Sequence, residues 1–260
     1  METTQLLSFS FEQSTLDKIS YRFFSRDTRY EILPESSIKY PYSAIGLLKV
    51  EYNHNIISYR TGFMINKNTI LTAGHNLNDQ RTNPNQLQEK LGSPINITYY
   101  PGLSQNSSIY KPCSSIKQMY FPSNFVKNPH EDYGIIVLSE NIGEQTGWFD
   151  LKIFNDELFD HNIFSAGYPL NKTTNNNTCY HLFEGKGNIS SVDKSHGIIV
   201  NNILTSYGQS GSPVWYMDEN NKCYVIGIQV ASHAFKDDEH YATLINKKRF
   251  SQINKWIESS

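Results

Sequence analysis

The sequence predicts an all-β protein built from antiparallel strands and closed by one C-terminal helix. Three observations predict it. Apolar and aromatic runs of strand length recur through the middle of the chain. Turn-forming residues separate them. Sustained helical spacing occurs only near the C-terminus. Many short strands with few helix-length segments between them belong to sandwiches or barrels.

The runs, in order, cover 44–52, 57–65, 69–73, 95–101, 133–139, 162–169, 197–203, 212–217, 223–231 and 241–245. Asn66-Lys67-Asn68 and the stretch Asp218-Glu219-Asn220-Asn221 divide them, because Asn and Asp bond to nearby backbone and tolerate turn conformations. The polar tract 171–178, NKTTNNNT, reads as a solvated hairpin tip. Near the end, Phe250, Ile253, Trp256 and Ile257 fall on one helical face, so an amphipathic helix is expected to dock on the body.

Composition narrows the partners. With 38% hydrophobic and 18% charged residues the chain can bury a core. Twenty-three basic and 25 acidic residues leave a net charge of −2 and no basic patch, which argues against nucleic acid. No apolar run is long enough to cross a bilayer, so no membrane partner is expected. The N-terminal stretch lacks a basic start, a long apolar segment and a cleavage site, so it does not read as a secretory signal. A cytoplasmic location or export without a signal peptide follows as the expectation. Cys113, Cys179 and Cys223 lie far apart, form no CxxC motif and read as packing residues.

The segment 205–215, TSYGQSGSPVW, raises a chemical question. Gly, Ser and Pro this close usually make only a turn. A nucleophilic serine needs a base, a group that orients the base, and donors for an oxyanion. Two other segments can supply them. In ILTAGHNL an apolar run passes through Ala73 and Gly74 into His75. In HEDYGIIVLSE, Asp132 stands at the mouth of another run. Alone, His75 reads as a satisfied histidine and Asp132 as a strand-start residue. Together they set His75, Asp132 and Ser210 in that order at the edges of β-runs. The window 208–212 ends in Ser, so it lacks the G-x-S-x-G elbow of hydrolases that run Ser, acid, His.

The blocks LTAGHNL, EDYGIIVLSENIG and YGQSGSPV resemble the three active-site blocks of trypsin-like serine proteases. The resemblance is strongest to the bacterial glutamyl endopeptidase branch and runs from about Ser25 to Trp256, taking in SAIGLL, TGFMI, AGYP and YVIGIQV. It implies two perpendicular six-stranded antiparallel β-barrels, chymotrypsin-like, with a cleft between them. It divides the chain into a tail or short pro-segment (1–24), a first barrel with His75 and Asp132 (25–145), and a second barrel with Ser210, the specificity pocket and the C-terminal helix (146–260). It implies a catalytic triad of His75, Asp132 and Ser210. The amides of Gly208 and Ser210 would form the oxyanion hole, and Val230, Ala231 and Ser232 would pair with an extended protein or peptide substrate. No metal or organic cofactor is implied, and HEDYG lacks the second histidine of HExxH.

The resemblance also bears on specificity and activation. Leu204 stands where trypsin carries the Asp that binds basic side chains, so cleavage after Lys or Arg is not expected. Thr205 matches the branch's hydroxyl for an acidic P1 group, while Gln229 stands where the branch has His. A polar pocket accepting Glu or Gln is the expectation, with Thr205 and Gln229 as its contacts. Digestive relatives pair a newly cut N-terminal amine with an Asp just before the serine. Here that residue is Gln209, so that switch should be absent. SRDTRYEIL (25–33) resembles the start of mature glutamyl endopeptidases, which would make residues before about Ser20 a pro-segment or a plain tail. A catalytically silent peptide binder and an esterase using the same triad remain open readings.

Overall fold

The computed structural model describes residues 27–83, 86–170, 179–232 and 239–260. Among the described residues seventeen strands form, the ten expected ones in their expected order. They are β1 (Tyr30–Ile32), β2 (Ile45–Tyr52), β3 (Ile56–Met64), β4 (Thr69–Thr72), β5 (Asp79–Asn83), β6 (Gln86–Gly92), β7 (Asn96–Pro101), β8 (Ile116–Tyr120) and β9 (Gly134–Leu138). There follow β10 (Asp150–Leu151), β11 (Ile163–Gly167), β12 (Leu182–Gly187), β13 (Ile189–Asp193), β14 (Ile198–Asn201), β15 (Pro213–Met217), β16 (Cys223–Ser232) and β17 (His240–Leu244). Two one-turn helices, α1 (Pro34–Ser37) and α2 (Gly143–Thr146), interrupt them, and α3 (Lys247–Glu258) ends the chain.

The strands sort into two main sheets. One has the order β7-β2-β3-β4-β9-β8, and the other β1-β12-β11-β15-β16-β17-β14-β13. Pairing is antiparallel throughout except that β10 runs parallel to β16. β5 and β6 form their own hairpin. Alternation explains the faces: in β7, Ile97 and Tyr99 point inward while their neighbours are half-buried. β9 reads GIIVL and is buried at every position, as suits a strand covered on both sides.

One stretch departs from the expected division. Tyr30–Ile32 lies before the first sheet in sequence but pairs with Leu182–Glu184 of β12 in the second. Seven strands were not expected at all: β1, β5, β6, β8, β10, β12 and β13. IKQMY and ISSVD carry too few apolar residues to show a period of two. Cross-strand pairing, not propensity, makes them strands. The tract 171–178 and residues 1–26 lie outside the described residues.

The C-terminal helix forms where its spacing predicts. Asn246 caps it by accepting the Arg249 amide at 2.9 Å. Ile253 is fully buried, and Phe250, Trp256 and Ile257 pack on the core. Trp256 stacks on Tyr120 at 5.9 Å between ring centroids and lies 5.6 Å from Tyr133. A helix that leaves the second sheet thus ties down the first. Among the described residues, no helix is long and apolar enough to cross a membrane, and the three cysteines are unpaired with one another.

Candidate active site

β4 delivers His75. After Thr72 the chain passes Ala73 and tightens into a 3-10 turn over Gly74–Asn76. Gly74 sits in a tight spot: a Cβ there would lie 3.1 Å from both the N and O of Tyr133. The missing side chain lets the turn press against the start of β9. Asp132 is therefore within reach, and both its oxygens are used. The His75 amide donates to Oδ1 at 2.8 Å, and the ring Nδ1 lies 2.7 Å from Oδ2. A carboxylate gripping main chain and ring together fixes the imidazole's orientation. Asp132 is itself buried, and its carbonyl accepts from Thr243 Oγ1 of β17 at 3.0 Å.

The loop before β15 delivers Ser210. Gly208 and Gly211 take φ of +97° and +91°, values that side-chain-bearing residues rarely adopt. Two carbonyls of this loop are held in backbone hydrogen bonds. Tyr207 O accepts from the Leu170 amide at 2.9 Å, and Gln209 O accepts from the Ser212 amide at 3.0 Å. In a planar trans peptide the N–H points opposite to the C=O. The amides of Gly208 and Ser210 consequently face the other way, and neither has a hydrogen-bond partner among the described residues.

The two halves meet at the Ser210 carbonyl. Ser210 O accepts from the Thr61 amide and from Asn76 Nδ2, each at 3.1 Å. Asn76 Nδ2 also donates to Thr72 Oγ1 at 2.9 Å, which in turn donates to Thr61 O at 2.8 Å. Thr61 Oγ1 donates to Gly208 O at 2.9 Å. The His75 ring bonds to Asp132 and not to Ser210, whose half-buried Oγ has no partner among the described residues. Such contacts are commonly loose without substrate. Asn76 and Thr61 were not singled out from sequence; the only signal was their closeness to His75 and to TGFMI.

Thr205 and Gln229 are both buried near this loop, but only Thr205 faces a group suited to an acid. Thr205 Oγ1 lies 2.8 Å from Nδ1 of His240, a buried residue at the start of β17. Gln229 is engaged elsewhere. Its Nε2 donates to Ala231 O and Tyr241 O, both at 3.1 Å, and its Oε1 lies 3.5 Å from Asn201 Nδ2. These bonds span the register shift between Gln229 and Ala231. His240 was missed because its segment carried no motif. Like His75, it stands at the end of an apolar run.

Along β16, pairing with β15 stops at Ile228; Ala231 and Ser232 pair with β17, Val230 falls at the register shift without a partner in β17, and among the described residues none of the three pairs with a second strand. Among the described residues, no group of three or more His, Cys, Asp and Glu converges as metal ligands would.

Known proteins resemble the chain in sequence and in fold. The chain is 29% identical over 227 residues to a glutamyl endopeptidase of Bacillus licheniformis, covering 85% of this chain and 65% of that protein. It is 26% identical over 224 residues to an extracellular metalloprotease of Bacillus subtilis, covering 80% and 66%. It therefore spans just under two thirds of the length of either relative. Among solved structures, a Glu endopeptidase in complex with MPD superposes with a TM-score of 0.72 at 21% identity, over 88% of this chain and 96% of that one. The protease Anisep from Arthrobacter nicotinovorans superposes with a TM-score of 0.65 at 16% identity, over 82% and 94%. At these identities the structures speak for a shared chymotrypsin-like fold. The match to the trypsin family itself runs over residues 47–257, and the chain belongs to that family.

Proposed function

We propose that the chain is a serine endopeptidase that cuts protein or peptide substrates bound in extended form. The observation that carries this reading is the loop geometry at Ser210: the Tyr207 and Gln209 carbonyls are held in hydrogen bonds, and the Gly208 and Ser210 amides have no partner among the described residues. Ser210 Oγ attacks the scissile carbonyl carbon and gives its proton to His75 Nε2. Asp132 accepts a hydrogen bond from Nδ1–H without taking the proton, and so stabilises the imidazolium. Negative charge on the former carbonyl oxygen is met by the Gly208 and Ser210 amides. As the tetrahedral intermediate collapses, the C–N bond breaks and His75 passes its proton to the leaving amine. Water, deprotonated by His75, then hydrolyses the acyl-enzyme. The open side of Val230–Ser232 accepts the substrate backbone as an added strand. These steps call for no metal or organic cofactor.

For the P1 residue the reading shifts from Gln229 to His240. Thr205 and His240 form a hydroxyl–imidazole pair beside β16. An imidazole can carry the charge that a carboxamide cannot, and charged hydrogen bonds are about twice as strong as neutral ones. An acidic P1 side chain is therefore favoured over its amide. Gln229 supports the wall by holding main-chain carbonyls.

A fluorophosphonate probe and casein hydrolysis test the reading. The native chain should be labelled at Ser210 and cut casein, and Ser210→Ala should do neither while keeping its thermal transition. A folded chain that is never labelled would be a silent peptide binder. Turnover of small esters without any peptide cleavage would mark an esterase.

A further inference from the structure

Arg29 is a charged residue that the chemistry above does not use. It stands just before β1, only 7% exposed, and is bound on two sides. On one side its amide and Nε donate to Asp27 Oδ1, each at 3.0 Å, and Nη2 donates to Oδ2 at 2.9 Å. On the other side Nη1 donates to Ser206 Oγ at 2.8 Å and to Gln209 Oε1 at 2.5 Å. The Ser206 amide donates to the same Gln209 oxygen at 3.0 Å. A planar guanidinium can serve both partners at once because its donors diverge in a fixed fork.

Ser206 and Gln209 flank Tyr207 and Gly208. Their mutual backbone bond, Gln209 N to Ser206 O at 3.0 Å, closes the turn that aims the Gly208 and Ser210 amides. Gln209 is 1% exposed, so its carboxamide has no solvent to fall back on. We infer that Arg29 is a positioning residue for catalysis, a cationic clamp from the N-terminal segment that holds the oxyanion loop in its working shape. This rests on the serine endopeptidase reading and goes beyond it.

The structure suggests why a charge is used. The loop contains two positive-φ glycines, Gly208 and Gly211, and so is intrinsically flexible. If the Tyr207–Gly208 peptide turned over, the Gly208 donor would be replaced by the Tyr207 carbonyl. A buried charged hydrogen bond to Gln209 opposes that rearrangement more strongly than a neutral one. Asp27 balances the charge, and pairing of β1 with β12 fixes where the guanidinium sits. The cation is a side chain, so the clamp needs no free N-terminal amine.

The test uses the full chain and Arg29→Ala, with kcat and KM measured separately on one peptide. The expected result is a fall in kcat of about tenfold or more, the scale of a damaged oxyanion hole, with KM changed by less than about threefold. Added guanidinium chloride at non-denaturing concentration should restore much of the loss, and matched sodium chloride should not. Fluorophosphonate labelling should slow in parallel. If Arg29→Ala does not fold, Arg29→Lys decides: its ammonium lacks the fork, and kcat should fall with Tm near that of the native chain. The clamp is overturned if kcat is unchanged in the folded variant, or if the loss tracks Tm and guanidinium does not rescue it. Native chain that fails to label would instead sink the serine endopeptidase reading itself.

Discussion

The Thr205 hydroxyl and His240 Nδ1 lie 2.8 Å apart, joining the loop that carries Ser210 to the start of β17. His240 pairs across the sheet with Ser232, and Tyr241 with Ala231, so this imidazole sits beside the segment proposed to bind substrate backbone.

The first prediction concerns what is cut. In a P1-scanned peptide set, the native chain should favour Glu over Gln, and His240→Gln should shrink that ratio by about tenfold, the worth of one charged hydrogen bond. Gln229→His should mainly lower stability, because two main-chain carbonyls lose their donor. Strong native cleavage after Lys or Arg, or an unaltered ratio in His240→Gln, would refute the pocket.

Gly208→Ala should leave a protein with little activity. At φ +97° an added Cβ would also lie 2.3 Å from Tyr168 O, so the peptide must move and take its amide with it. A loss of about a hundredfold in kcat is expected, typical of one missing oxyanion donor. Steady-state kinetics showing a normal kcat would place the oxyanion donors elsewhere.

Asn76→Ala should weaken the join between the two sheets. It removes one of the two donors to Ser210 O and leaves Thr72 Oγ1 without its Asn partner. A stability loss of about 1–2 kcal/mol is expected in chemical denaturation, with a several-fold fall in kcat. Asn76→Asp should be worse, because a carboxylate would face the Ser210 carbonyl. Equal activity in all three proteins would remove Asn76 from the site.

Glu184 gives a pH signature. It lies in β12, 2% exposed, and burial pushes its carboxyl up to about 8 from an ordinary value near 4.5. The folded protein therefore keeps the proton through a range in which the unfolded chain has lost it. Stability should fall as pH rises from about 4.5 to about 8, and the loss should level off above that. Glu184→Gln, which cannot ionise, should flatten the slope. Denaturation at pH 5.5 and 8.5 checks this, and an equal slope in both proteins would contradict it.

Arg249 anchors the C-terminal helix through four carbonyls, those of Gly197, Leu244, His130 and His196. It is 1% exposed. Arg249→Ala should cost about 3 kcal/mol or more, since four acceptors, two in buried and two in part-buried hydrogen bonds, lose their donor together. A Tm within a degree or two of the native value would show that the anchor is dispensable.

Much of this was legible in the chain itself. A strand covered on both faces must be apolar at every position, so GIIVL declares itself as β9. A helix docked on one face must repeat its apolar residues with a helical period, so Phe250 to Ile257 declare α3. His75, Asp132 and Ser210 could be named as candidates because each sits in a short block that resembles an active-site block of trypsin-like serine proteases. These are short-range constraints, and sequence records them directly.

What the chain alone did not disclose are relationships between distant segments. His240 faces Thr205 across 35 residues, and Arg29 reaches Gln209 across 180. Neither carries a local pattern, because a buried side chain is selected by whatever lies opposite it. Gln229 shows the converse. Its place in GIQV pointed to the substrate, yet the register shift in β16 turned its amide onto the main chain. Local geometry is set by neighbours in sequence; the partners of a polar side chain are set by packing, and only the folded structure decides them.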